Sequence, residues 1–264
     1  MNVHQSIDRK IDYEPDFNGF INYMLHNNKI SDMQKQDLIE AKTVLCNGMS
    51  HAFAEYDNQK FDLFDRSRKN KIIAMGDSRD AISIENVKIG FDITKKTNNL
   101  ILNDNNFNID NCYNEPKTNF QIMAMAQVDT NKFAGLQRKE EGDKNKNVTE
   151  NIAYGYGHCP EIGWYYEELQ LFNKIKSDLG IDNIYESKGL KQIQEEALRR
   201  QEEIGHYISL FRNKNTINAA GYNQYGNYGN TSVYIAKDLD YDHICSYSVD
   251  EMSEMLDRYL ENIV

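Results

Sequence analysis

Three side chains of this 264-residue chain have the types and spacing for covalent chemistry: a cysteine, a histidine and an asparagine. The segment Leu45-Cys46-Asn47-Gly48-Met49-Ser50-His51-Ala52-Phe53 reads as a loop becoming an amphipathic helix, with Cys46 at its start. Free backbone N–H groups and the macrodipole at a helix start turn a thiol into a nucleophile. Such a nucleophile needs an imidazole to activate it and to protonate the leaving group, and a third group to orient the imidazole. His51 is a poor base for Cys46, because five residues along a helix turn the chain by about 500° and leave it about 140° around the axis. The base must come from a distant element.

Gly205-His206-Tyr207-Ile208-Ser209-Leu210 offers that base at the start of an expected strand. If Lys214 and Asn215 form the two-residue loop of a hairpin, His206 lies directly across from Asn223, whose amide could then fix the imidazole. A slip of one residue would substitute Gln224. The expected catalytic set is therefore Cys46, His206 and Asn223.

In order and local pattern these segments resemble the YopT-type bacterial effector proteases, a branch of the papain-like cysteine proteases. Cys46-Asn47-Gly48-Met49-Ser50 resembles the nucleophile motif, Gly205-His206-Tyr207-Ile208 the histidine motif, and Tyr222-Asn223-Gln224-Tyr225-Gly226 the third. The chain departs from the family in having Asn223 where an Asp is usual, a substitution papain-like chemistry accommodates. It also lacks a side-chain amide among Glu40, Ala41, Lys42, Thr43 and Val44, which leaves Thr43 or Gln36 to complete an oxyanion hole. The resemblance implies a papain-like fold and a host-directed effector that cleaves a protein substrate. Glutamine deamidation and transglutamination begin with the same thiolate attack. A non-catalytic interaction protein, engaging a basic partner through its acidic surface, is the alternative.

The elements that would position these residues begin with helices at Phe17 to Leu25 and from Ser31, a plausible N-cap, to about Leu45, with a third starting near Cys46. Residues 95–119, dense in Asn and Asp, read as a polar surface excursion, and Gln121 to Val128 fits either a strand or a helix. Residues 138–147 are a charged loop. Helices follow from about Trp164 to Leu179 and from about Leu190 to Ile204, ended by Gly180 and Gly205. The charged run Gln194 to Glu203 reads as a solvated face. Strands are expected at His206 to Phe211, Thr216 to Tyr222 and Ser232 to Ala236, and Ser248 with Glu251 forms a capping box for a last helix. Helices first and an antiparallel sheet later describe one α+β domain over residues 1–264.

A formal net charge of −11 argues against nucleic acid as a partner. Cys46, Cys112, Cys159 and Cys245 show no CxxC spacing and read as reduced thiols. The polar N-terminus lacks the apolar core of a signal peptide, and no apolar run reaches membrane-spanning length, so the expected location is cytoplasmic, with export into a host cell as an extension. No cofactor or metal is expected. Asp104, Asn106, Asn108, Asp110 and Glu115 match calcium-loop spacing, but Ile109 stands where glycine is required. His158 and Cys159 in Tyr154-Gly155-Tyr156-Gly157-His158-Cys159-Pro160 lack a partner pair at zinc-ligand spacing, and a turn accounts for them.

Overall fold

Apolar residues follow one another along the C-terminal strands, as in Val233-Tyr234-Ile235-Ala236, so a strand there buries side chains on both faces of a sheet. A computed structural model describes residues 13–27, 29–47, 81–108, 112–135, 148–186, 188–212, 214, 216–226, 229–238 and 244–263. In it, β1 (Val148–Tyr154), β2 (Thr216–Gly226) and β3 (Gly229–Asp238) form an antiparallel sheet in the order β1-β3-β2. Ile217, Ala219, Val233 and Ile235 enter one hydrophobic cluster, while Ala220, Tyr222, Tyr234 and Ala236 enter another. Each face of the sheet thus has its own core.

The first core is closed by α1 (Phe17–Leu25), α2 (Asp32–Asn47), α4 (Phe120–Gly135) and α8 (Val249–Ile263). Helix α4 lies directly on β2 and β3, so closely that a Cβ on Gly221 would run into the Ala126 carbonyl. The second core is closed by a π-helical turn (Ile162–Glu167), α5 (Glu168–Asp178), α6 (Gly189–Arg200) and the five-residue α7 (Gly205–Ser209). Helix α3 (Ile84–Leu102) runs along β2, the sheet's edge strand. There the outward-facing amide of Ala220 donates to Thr94 Oγ1 at 2.8 Å, and that hydroxyl donates to the Gly90 carbonyl at 2.7 Å. The amide of Asn218 donates to the Lys117 carbonyl. An edge that would otherwise present unpaired backbone groups is capped from within.

Local signals form where expected. Ser31 and Gln34 exchange side-chain to backbone bonds at the start of α2, and Ser248 and Glu251 do so at the start of α8. Buried Asp37 of α2 accepts the amides of Phe120 and Gln121 at the start of α4, and burial raises its carboxyl to about 7. The architecture is α+β, with N-terminal helices packed on a three-stranded antiparallel C-terminal sheet. No described helix is long and apolar enough to cross a membrane.

Several expectations are corrected. His206 to Phe211 is not a strand, because residues 205–209 form α7, and β2 pairs with β3 instead. The hairpin that would set His206 opposite Asn223 does not form. Gln121 to Val128, which by sequence fits either a strand or a helix, is helical, as the interior of α4. Much of 95–119 is not a solvated excursion: residues up to Leu102 belong to α3, and Asp104, Asn106 and Asn108 are buried. The helix expected after Cys46, together with His51 and the 138–147 loop, lies outside the described residues.

Replacing Thr94 with Val keeps its shape but removes the acceptor for the buried Ala220 amide. Urea denaturation should show a loss of about 1–3 kcal/mol, the cost of an unsatisfied buried donor. An unchanged midpoint would contradict the capped edge.

Candidate functional site

Helix α7 is too short to hold itself together by helical bonds alone, and its position is set by polar groups from three directions. From α5, the buried carboxylate of Glu168 accepts from His206 Nδ1 at 2.6 Å and from the Tyr207 amide at 2.9 Å. From β1, Asn151 Nδ2 donates to the His206 carbonyl at 3.0 Å, and Asn151 Oδ1 accepts from Ser209 Oγ at 2.5 Å. From the segment after α3, Asp104 Oδ2 accepts from the Tyr207 hydroxyl at 2.7 Å and from the Tyr165 hydroxyl at 2.9 Å. The other Asp104 oxygen takes the amides of Asn106 and Phe107. Burial, then the adjacent Asp104 charge, pushes the phenols of Tyr207 and Tyr165 above their ordinary range. Of the residues with calcium-loop spacing, Asp104, Asn106 and Asn108 therefore serve as a buried anchor, Glu115 is exposed, and Asp110 lies outside the described residues.

Glu168 reaches His206 because of the π-helical turn before it. A π turn holds one residue more than an α turn, which rotates whatever follows by about 100°. Glu167 is left exposed and Glu168 is buried. Trp164 and Tyr165 of the same turn are buried under the sheet.

The result is a pocket of about 210 Å³ whose walls include Ala153, Tyr156, Trp164, Glu168, Glu203 and His206. One donor atom from each of Glu168, Glu203 and His206 lies within 4.8 Å of the others, so the three could hold a metal ion. With its Nδ1 hydrogen given to Glu168, His206 keeps Nε2 for a substrate proton or a metal. The Tyr156 hydroxyl donates to Glu167 at 2.9 Å, and this bond, with some burial, raises the phenol. Trp164 is buried, and among the described residues its indole N–H has no acceptor.

Of the three residues singled out from sequence, only His206 belongs to this pocket. Cys46 is exposed in the last turn of α2, at the carbonyl end of a helix rather than at the amide end that was expected. Helix α2 packs on α1 and α4, on the face of the sheet opposite α7. Asn223 lies on β2 opposite Thr231, and its amide donates to Asn131 Oδ1 of α4 at 3.0 Å. It shares the parity of Gly221 and so faces α4, with the sheet between it and His206. No cysteine lines the pocket. The substitutes for an oxyanion hole are committed locally: Thr43 Oγ1 donates to the Ile39 carbonyl, and Gln36 donates to Glu40.

Sequence reasoning missed Glu168, Glu203 and Asn151. Glu203 falls at the end of the run read as a solvated face. Glu168 looks like any helical glutamate, and its only local signal is the preceding aromatic group Trp164-Tyr165-Tyr166. Comparison of the chain with family models, with curated proteins and with solved structures finds no match.

NMR of the imidazole nitrogens at a pH where the ring is neutral should place the His206 proton on Nδ1 in the native protein. Glu168→Ala should yield a mixture of tautomers. A native proton on Nε2 would contradict the Glu168 bond.

Proposed function

We propose that the protein binds a divalent transition-metal ion through His206 Nε2 and the Glu203 carboxylate, with Glu168 holding the imidazole in place, and uses it to activate water for hydrolysis. The observation that supports this reading is the convergence of one imidazole and two carboxylates on a single pocket. Imidazole nitrogen with carboxylate oxygen suits zinc, manganese or iron better than a soft monovalent ion. An ion held there would lower the pKa of its bound water to about 7 and polarise a substrate oxygen. Glu168 bridges His206 and the Tyr207 amide, so it acts first as the group that orients the imidazole. The pocket admits the reacting end of a substrate rather than a whole large molecule.

The papain-like reading, in which Cys46 is the nucleophile of a protein-cleaving effector, has one observation in its favour, the exposure of that thiol. It would require a base other than His206, or a rearrangement of α2. Alkylating Cys46 separates the readings: hydrolysis persists under the proposal above and is lost under the cysteine mechanism.

Titration calorimetry with Zn²⁺ and Mn²⁺ on metal-stripped protein should show one ion bound per chain. His206→Ala should abolish that binding, and Glu168→Gln should weaken it by about 10–100-fold, the usual cost of losing an orienting partner. Equal affinity in native protein and His206→Ala would overturn the proposal.

A further inference from the structure

Helix α7 is a wall between two cavities: His206 faces the small acidic pocket, whereas Gly205, Ile208 and Ser209 line a larger one of about 580 Å³. That volume is in the range of sites that enclose small organic ligands. Its walls are mainly aromatic and aliphatic, with Phe107, Tyr113, Tyr185, Leu190 and Phe211 among them. The two phenols are turned away from a ligand's use, since Tyr113 donates to the Phe211 carbonyl at 2.6 Å and Tyr185 to the Phe107 carbonyl at 2.8 Å. They therefore offer ring surface to whatever enters. Tyr185 is 55% exposed, far more than the buried aromatic groups behind it.

Two cations, Arg212 and Lys214, also line this cavity. Neither forms an ion pair with a carboxylate among the described residues, although Asp238 lies near enough to feel Arg212. In a chain of net charge −11, two cations without close partners beside an apolar cavity form a local field of opposite sign.

From this juxtaposition we infer that the cavity is a binding site for a small organic anion with an apolar, ring-containing body and a carboxylate or sulfonate-like head. The body lies against the aromatic walls and the head meets Arg212 and Lys214. The site is separate from the His206 pocket and does not rest on the metal proposal.

Gly205 provides a direct test, because a Cβ there meets nothing within 4 Å and its backbone is not in the left-handed region. The probes are anilinonaphthalene sulfonate and its neutral counterpart, N-phenylnaphthylamine, followed by fluorescence against the full-length chain. One saturable sulfonate site is expected, with the neutral compound bound about tenfold more weakly for want of the head-group contact. Gly205→Phe and, independently, Leu190→Trp should each fill the cavity and reduce sulfonate binding by about tenfold or more, while circular dichroism stays native. Arg212→Ala with Lys214→Ala should weaken the sulfonate and leave the neutral probe unchanged. Undiminished binding in both filling variants, or equal affinity for the charged and neutral probes, would overturn the inference. Metal titration of the filling variants provides a separate readout, so failure here does not bear on the His206 pocket.

Discussion

A single buried carboxylate, that of Glu168, decides where the imidazole of His206 is held. It accepts from the ring of His206 and from the amide of Tyr207, two donors that follow one another in the chain, and so fixes both the side chain and the backbone of α7. A five-residue helix gains little from its own hydrogen bonds, so this bridge and the clasp from Asn151 hold it in place of helical cooperativity. On the far side, the Tyr207 ring sits in an aromatic group with Phe107, Tyr165, Phe172 and Phe211, and its hydroxyl reaches Asp104. Burial of Asp104 and Glu168 is tolerable because both oxygens of each carboxylate have protein donors.

The sheet supports this arrangement by separating two cores. Alternation along β2 and β3 sends one set of residues toward α4 and the other toward α7, so a functional pair in one layer cannot be completed from the other. That separation explains why His206 finds a carboxylate from α5 rather than the amide of Asn223. It also gives α7 a cavity on either side, one acidic and one aromatic with a cationic rim.

What the sequence discloses follows the range of the interactions involved. The N-cap at Ser31 and the capping box at Ser248 are legible because donor and acceptor lie three residues apart. The strands from Thr216 and Ser232 are legible because short runs rich in β-branched and aromatic residues, bounded by Gly and Asn, favour strands. His206 stands out by its chemistry, but Gly-His-Tyr-Ile-Ser carries aromatic and β-branched residues that favour a strand, and only non-local bonds make it a helix. Glu168 and its neighbour Glu167 are identical as letters, and the π turn that buries one and exposes the other has no plain sequence mark. The buried role of Asp104, Asn106 and Asn108 is likewise hidden, since an Asn- and Asp-rich run looks solvated until its partners are known.

Anomalous diffraction from crystals soaked in Mn²⁺ would test the central claim most directly. A single strong peak within bonding distance of the His206 ring and the Glu203 carboxylate, with Glu168 still bridging to the Tyr207 amide, is the expected result. An ordered pocket with no peak, or a peak only at a site remote from His206, would contradict it.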